Sequence, residues 1–251
     1  MNDDVARDWN YDALAAHYGL RAPYDAAALD AAFARIAMDA GAECVDIGAG
    51  SGRLTAALVA RGLRVTAVEP STPMREIGER EVPAARWIDA DARHCGLDSG
   101  CCSVLTFGSS FNVMPASSAL DLAARLLRPR GGLVVLWNHR DLEDPLQRRL
   151  QDAIERHVPG YAHGSRRDNA SATIEADGRF DTLGHVDGHF AHRIRATDFI
   201  DGFRAHATLV RQAGAALPEV LDAMRSALAG VAEIDVPFTT RIHLARRRAG
   251  A

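Results

Sequence analysis

The sequence has little of several things, and each shortage excludes a class of protein. No apolar run approaches the ~20 residues that a membrane-spanning helix requires. The opening MNDDVARDWN is acidic and polar, where a secretory signal is basic and then apolar. Lysine plus arginine (29) and aspartate plus glutamate (33) leave a net charge of only −4, which favours neither nucleic acid nor an acidic membrane as partner. We therefore expect a cytoplasmic chain that acts on neither.

Cysteine is also scarce, and metal-binding motifs are missing. The four cysteines are Cys44, Cys95, Cys101 and Cys102. Their spacing suits neither a disulfide framework nor a CxxC zinc knuckle, so we predict reduced thiols. There is no HExxH motif. On one predicted strand His185 and His189 share a face while His192 points the other way, which is a poor three-ligand set. No metal site is expected.

What the sequence does have is an alternation of strand and helix signals. Apolar runs typical of buried strands lie at 44–47, 65–68, 85–88, 102–107 and 133–137, with alternating strands at 184–197 and 236–245. Helices are predicted at 1–20, 25–39 (with Asp25 as N-cap and Gly41 as stop), 52–61, 72–80, 117–128, 145–157, 197–212 and 218–229. A turn is predicted at RPRGG, and a long loop or lid over 159–184. This pattern predicts an α/β fold with a doubly wound, mostly parallel seven-stranded sheet.

The same pattern predicts a single domain over 1–251. Residues 1–40 form an N-terminal helical cap, and residues 41–138 form a ligand-binding core. Residues 139–230 cap the C-terminal edge of the sheet on the substrate side, and residues 231–251 hold the final strand and tail.

The most informative stretch is VDIGAGSGRLTAALVARGLRVTAVEPS, residues 45–71. Gly48, Gly50 and Gly52 follow the first strand of this core, and glycine allows both a sharp turn and close approach of a ligand to the backbone. Glu69 ends the next strand, so its carboxylate reaches the same crevice and can accept hydrogen bonds from ribose hydroxyls. A nucleoside-containing ligand is therefore expected at these strand ends.

Two ligand classes compete for this loop. A dinucleotide fingerprint is GxGxxG, but the third glycine falls at 52 and position 53 is arginine. Asp46 suits a ligand with an ammonium group better than a pyrophosphate. S-adenosylmethionine carries an ammonium group, a ribose, an adenine and a sulfonium. A nicotinamide-dependent oxidoreductase and a non-catalytic cofactor-binding protein stay open as alternatives.

VDIGAGSGRLTAAL resembles the first motif of class I S-adenosylmethionine-dependent methyltransferases, and VEPS resembles their acid-ended second strand. IDADA at 88–92 and ALDLAARLLRPRGGLVVLWN at 119–138 resemble later segments of the same family. This likeness covers roughly residues 10–140. HYGLRAPYD at 17–25 and the terminal VPFTTRIHLARR resemble small-molecule methyltransferases related to trans-aconitate methyltransferase. In place of the Phe-Asp that often starts the fourth strand, this chain has Cys102 and Ser103.

The resemblance implies the Rossmann-like methyltransferase fold, S-adenosylmethionine as cofactor and methyl transfer to a small metabolite. The implied cofactor-binding residues are Arg21, Asp46, Gly48, Gly50, Gly52, Glu69, Met74, Asp91, Ala92 and Ser109. Among them, Glu69 would bind the ribose, Asp91 the adenine amine, and Arg21 the cofactor carboxylate. Asp46 would favour the cofactor's amino group or hold the loop. O-, N- and C-methylation stay open, as does the oligomeric state.

The chemistry requires no catalytic motif. The methyl group is activated by the cofactor's own charge, so alignment alone supplies much of the acceleration. Candidates at the expected substrate mouth are Tyr18, Asn112, His139 and Asp141, with His139 the candidate for a general base. His163, Arg166 and Arg167 in the predicted lid could attract an anionic substrate. Acidic neighbours such as Asp168 dilute that charge, and we expect a solvated loop.

Overall fold

The computed structural model of the chain describes residues 11–250, except for the side chains of residues 165 and 166. The strands are β1 (Glu43–Ile47), β2 (Arg64–Val68), β3 (Arg86–Ile88), β4 (Cys102–Gly108), β5 (Leu127–Arg140), β6 (Phe180–Arg195) and β7 (Glu233–Arg247). The α-helices are α1 (Ala15–Tyr18), α2 (Ala26–Arg35), α3 (Arg53–Val59), α4 (Thr72–Glu81), α5 (Ala116–Leu126), α6 (Pro145–His157), α7 (Ala170–Asp177), α8 (Ala196–Asp201), α9 (Ala207–Ala213) and α10 (Leu217–Ala227).

The seven strands form one sheet in the order β3-β2-β1-β4-β5-β7-β6. Pairing is parallel from β3 through β5, whereas β7 runs antiparallel to both β5 and β6. The predicted fold class is confirmed. The chain leaves β1 for β2 on one side and later returns to β4 on the other. The crevice at the carboxyl ends of β1 and β4 is therefore the switch point where such sheets bind ligands.

Helices cover both faces of the sheet, which is why the inner strands are mainly apolar. On one face α5 and α7 pack over Phe107, Leu133 and Trp137. On the other face α2 and α3 pack over Val104 and Leu136. The side chains of these strand residues are at most 2% exposed. Burial on both faces explains the continuous apolar runs in the sequence and orients the strand ends toward one edge.

A third apolar cluster lies beyond the sheet's edge. It is built by α6, α8, α9 and α10 around Leu150, Ile154 and Met224, all fully buried. These helices come from the segment 139–230, which also contributes the edge strand β6. That segment therefore adds both to the sheet and to the cap. None of the helices within residues 11–250 has the length and hydropathy needed to cross a bilayer.

Helix boundaries differ from the prediction near the N-terminus. Of the helix predicted over 1–20, a 3₁₀ turn at Asp12–Leu14 and α1 are described, and residues 1–10 lie outside the described part. Asp25 caps α2 as predicted, its Oδ1 accepting from Ala28 N at 2.7 Å. However, α2 ends at Arg35, before the predicted Gly41, because Ala37 takes a left-handed φ of 50° that breaks the helix.

The loop predicted over 159–184 was partly wrong. It contains a 3₁₀ turn, α7 and the start of β6 at Phe180. The polar composition hid α7, which buries only Ala170 and Ile174 and is capped by Asn169 accepting from Ser171 N. The helix predicted at 197–212 is divided into α8 and α9 by a 3₁₀ turn at Gly202–Ala205.

Two further predictions can be compared with the structure. The residues of the predicted RPRGG turn are part of β5 instead. Arg130 there has φ 66°, and the pairing with β4 shifts register. All four cysteines are free thiols, as predicted.

Candidate functional site

The glycine loop between β1 and α3 folds tightly against the end of β2. Gly48 N and Ala49 N both donate to Val68 O, at 2.9 and 3.1 Å. Gly48 and Gly50 have φ values of 65° and 58°, a left-handed conformation that strains other residues. A Cβ at position 48 would lie 2.7 Å from Ser110 Cβ, too close to be accommodated. The loop therefore needs these glycines and exposes bare backbone at the crevice.

Glu69 joins this loop to the end of β2. Its side chain accepts from Gly50 N at 2.8 Å through Oε2 and from Ser71 N at 2.9 Å through Oε1. The residue is 6% exposed, and burial raises the pKa of its carboxyl while the two backbone N–H donors oppose that rise. Each carboxylate oxygen has a second lone pair. The carboxylate is therefore fixed in position and can still accept from a ligand.

A cavity of about 360 Å³, hereafter the larger cavity, opens at this point. Met74, 1% exposed, forms part of its wall, and Asp91 and Ala92 lie at the end of the neighbouring strand β3. The predicted cofactor-binding residues that the structure brings together here are Gly48, Gly50, Glu69, Met74, Asp91, Ala92 and Ser109. The other lining residues include Tyr11, Tyr18, Val113, Met114 and Ser118.

Asp91 has partners of its own within this wall. Its Oδ1 accepts from Arg93 N at 2.8 Å and its Oδ2 lies 2.8 Å from His94 Nδ1. Burial works to raise the pKa of this carboxyl, but the His94 and Arg93 contacts outweigh it and the pKa is lowered. Asp91 is therefore an ionised acceptor beside the cavity, as a contact to an amine requires.

A second cavity of about 120 Å³, hereafter the smaller cavity, adjoins the first. The residues that line both are Tyr18, Gly48, Gly108 and Ser109. Ser109 has φ 62°, and its Oγ lies 3.1 Å from Tyr24 Oη. A strained non-glycine residue at the boundary between two cavities is typical of a functional site.

Asp46 lines the smaller cavity but is only 1% exposed. Both of its oxygens accept from threonine hydroxyls, Thr106 at 2.7 Å and Thr55 at 2.8 Å. Burial raises the pKa of Asp46 to about 6, against the two hydroxyl donors. Its contacts tie β1 to β4 and α3. Of the two roles expected for it, the structure supports holding the loop.

The remaining predicted residues are distributed differently. Arg21, Tyr18 and His139 line the smaller cavity. Gly52 lines neither cavity: it starts α3 with φ 83°, and a Cβ there would press on Trp87 at 3.2 Å. Asn112 also lies outside both cavities, its Oδ1 accepting from Trp137 Nε1 at 3.1 Å. The structure thus shows a packing role for Gly52 and Asn112, and their ligand contacts stay predictions.

Asp141 and the predicted lid also differ from expectation. Asp141 Oδ1 accepts from Glu143 N at 2.9 Å, and Asp141 lines neither cavity. His163 and Arg167 do line the smaller cavity, so this part of the lid is not only a solvated loop.

Several cavity residues were missed by sequence reasoning. Tyr24, Arg53, Arg140, His192 and Phe203 all line the smaller cavity. Arg53 starts α3 directly after the glycine loop, and Arg140 directly follows His139 at the end of β5, so their positions in the sequence were a usable signal. His192 and Phe203 carried no such signal, because the packing of β6 and of the 3₁₀ turn at Gly202–Ala205 brings them in. No cluster of metal-binding side chains is found among residues 11–250.

Comparison with known proteins matches part of the chain to a protein family. Residues 45–135 match the family model described as "Methyltransferase domain". An uncharacterised methyltransferase of Mycobacterium tuberculosis H37Rv is 33% identical over 112 residues, 45% of this chain and 46% of that protein. A demethylmenaquinone methyltransferase of Beutenbergia cavernae is 32% identical over 136 residues, covering 54% and 55% of the two chains. A trans-aconitate 2-methyltransferase of an Enterobacter species is 40% identical over 88 residues, covering 34% and 33%. The chain spans about half the length, or less, of these relatives.

Solved structures share the fold at low identity. One from Anaeromyxobacter dehalogenans, named a candidate type II methyltransferase, has a TM-score of 0.62 at 21% identity, covering 91% of this chain and 98% of that one. The [4+2]-cyclase SpnF has a TM-score of 0.60 at 17% identity, covering 96% and 94%. Because a cyclase shares the fold, the fold alone does not establish which reaction is performed.

Proposed function

From residues 45–135, which belong to the methyltransferase-domain family, we propose that the chain binds S-adenosylmethionine in the larger cavity. We propose further that it transfers the methyl group to a small metabolite held in the smaller cavity, in the cytoplasm. The observation that carries the proposal is the Glu69 carboxylate, fixed by Gly50 N at 2.8 Å on the floor of the larger cavity.

The residues of the larger cavity fit each part of this cofactor. Glu69 would accept from the ribose hydroxyls, because its carboxylate is buried and held by two backbone donors. Asp91, ionised at the end of β3, would accept from the adenine amine, with the Ala92 backbone beside it. Gly48 would let the methionine portion lie against bare backbone. Met74 supplies an apolar wall for the adenine ring.

S-adenosylmethionine supplies an electrophilic methyl group on a sulfonium. The chain's task is to align an acceptor with that group and to keep water out, and good alignment is worth up to ~7–11 kcal/mol of barrier. Tyr18, Gly48, Gly108 and Ser109 mark the boundary between the cavities. We place the transfer at this boundary.

Two side chains near the boundary can contact an acceptor, and one of them can take its proton. His139 lines the smaller cavity at the end of β5 and is the candidate base for a weakly acidic acceptor. Burial raises the pKa of Tyr24 to about 12, outweighing the Ser109 hydrogen bond that lowers it. Tyr24 therefore stays protonated and orients groups as a donor rather than acting as a base.

The test separates cofactor binding from turnover. Calorimetry with S-adenosylhomocysteine should show binding that Gly50→Val abolishes. Incubation of a cell extract with the protein and deuteromethyl-labelled S-adenosylmethionine should then give a labelled product by mass spectrometry. Binding without a labelled product would support a cofactor-binding protein that does not transfer methyl groups. Absence of S-adenosylhomocysteine binding, with binding of NADH instead, would favour the oxidoreductase alternative.

A further inference from the structure

The smaller cavity carries a concentration of positive charge that the whole chain does not. Four arginines line it, although the chain's net charge is −4. They are Arg21, Arg53, Arg140 and Arg167. Among the described residues of the lining the one acid is Asp46, and both of its oxygens are already hydrogen-bonded to threonine hydroxyls. The lining itself therefore does little to neutralise these cations.

Arg53 shows most directly why this grouping of cations is energetically unfavourable. Its Nη2 donates to Gly19 O at 2.6 Å, but its buried Nε has no hydrogen-bond partner among the described residues. Burial lowers the pKa of Arg53, and the neighbouring Arg21 lowers it further. Like charges held together in a partly buried wall are unfavourable until an anion enters. The cofactor's own carboxylate can satisfy this part of the wall.

Arg140 lies at the end of β5, where two glutamine side chains orient it. It donates to Gln147 Oε1 at 3.0 Å and to Gln151 Oε1 at 3.3 Å, and both glutamines are buried in α6. The guanidinium carbon lies 4.9 Å from the centre of the Phe203 ring, which holds it in place by a cation–π contact.

Arg167 brings a second guanidinium to the same wall. Its Nη2 donates to the backbone oxygen of Arg140 at 3.0 Å, which links the 3₁₀ turn at Gly164–Arg167 to the end of β5. Burial lowers the pKa of Arg167. A planar guanidinium binds a carboxylate through two parallel N–H bonds. The bond to the Arg140 backbone fixes Arg167 beside the end of β5, so both arginines line the same cavity.

Aromatic side chains line much of the rest of the smaller cavity, beside polar groups that include Asn138, His139 and His192. Phe199 and Phe203 are 7% and 5% exposed, and Tyr18, Tyr24 and Phe238 also line it. Aromatic walls favour a planar ring, which buries a large area and loses little conformational entropy on binding. On the premise of the proposed function, we propose that the methyl acceptor is a small aromatic carboxylic acid. Its carboxylate binds Arg140 and Arg167, and its ring packs among Tyr18, Phe199 and Phe238.

The experiment is calorimetry on the full chain saturated with S-adenosylhomocysteine, so that the cofactor's carboxylate has already taken its partner. The probes are benzoate, benzamide (the same shape without charge) and cyclohexanecarboxylate (the same charge without a planar ring). The variants are Arg140→Met and Arg167→Met. Arg156→Met is the matched control, because it removes the same charge from α6, and Arg156 Nε donates to Asp152 O outside the cavity.

Benzoate should bind about tenfold or more tightly than benzamide, as expected for a charge-assisted contact, and also more tightly than cyclohexanecarboxylate. Arg140→Met and Arg167→Met should each bind benzoate about tenfold more weakly than the wild type while keeping their affinity for S-adenosylhomocysteine. Arg156→Met should bind both ligands as the wild type does. Equal binding of benzoate and benzamide, or no benzoate binding, would overturn the charged part of the inference. Preference for cyclohexanecarboxylate would overturn the aromatic part. Failure of S-adenosylhomocysteine itself to bind would instead contradict the proposed function.

Discussion

Replacing Glu69 tests the centre of the site. In Glu69→Gln one oxygen becomes an amide NH₂, which then faces either Gly50 N or Ser71 N, both of which are donors. The variant therefore loses the charge and sets a donor against a donor. A hydrogen bond to a charged group is worth about 1.5–3 kcal/mol. Affinity for S-adenosylhomocysteine should therefore fall by roughly 10- to 150-fold, since about 1.4 kcal/mol is tenfold.

The assay is isothermal calorimetry, with thermal unfolding measured alongside to show that the variant is folded. Asp89→Asn is the matched control: it is the same change at the end of β3, where the exposed Asp89 pairs with Arg75 at 2.8 Å, outside the cavity lining. It should leave affinity unchanged. An unchanged affinity in a folded Glu69→Gln protein would refute the reasoning.

A modified ligand makes the test specific to the ribose. The 2′-deoxy analogue of S-adenosylhomocysteine lacks one hydroxyl that Glu69 is proposed to accept from. Removing that hydroxyl should weaken binding to the wild type by more than it weakens binding to Glu69→Gln, because contacting groups couple in a double-mutant cycle. Equal losses in both proteins would show that Glu69 shapes the loop without touching the sugar.

Three further predictions address the loop, the core and the pH dependence of stability. Gly50→Val should abolish S-adenosylhomocysteine binding by calorimetry in a protein that still folds. Gly62→Val makes the same substitution at φ 78°, where a Cβ meets open space, so it imposes comparable backbone strain and should bind normally. Normal binding by Gly50→Val would place the ligand elsewhere. Gly78→Ala should lower the free energy of unfolding in urea by about 1–3 kcal/mol, because its Cβ would lie 2.1 Å from the Trp87 ring. Gly19→Ala is the control, because its Cβ would meet open space, and it should leave that free energy unchanged. Equal stabilities of the two variants would contradict the packing argument. Burial lowers the pKa of His243 to about 4, so the folded state holds it neutral and its stabilising contribution, full above pH 6.5, is lost as pH falls toward 4. Between pH 7.5 and 4.5 the free energy of unfolding of the wild type should fall by about 2–3 kcal/mol more than that of His243→Gln. Equal decreases in the two proteins would contradict this prediction.

The sequence alone determined the sheet and the larger cavity to a useful degree. Strand and helix periodicity is a local property, and it located all seven strands. Gly48, Gly50 and Glu69 are 21 residues apart at most, within one strand–helix–strand unit whose geometry is nearly fixed. For that reason the order of residues along the chain was enough to assign the loop and the acid to one ligand site. The packing contacts of Gly52 and Asn112 could not be predicted, because each is made with a tryptophan that only the folded chain brings near.

The smaller cavity was decided by the tertiary structure. Arg21 Nη1 donates to Ala205 O across 184 residues, and Arg167, His192 and Phe238 reach the same space from three other elements. No periodicity relates such distant positions. These residues come together only because the cap helices pack against the end of the sheet. The residues of one strand–helix–strand unit thus form the proposed nucleoside site, because chain connectivity holds them together. The proposed acceptor site is formed by side chains that meet only when the whole chain has packed.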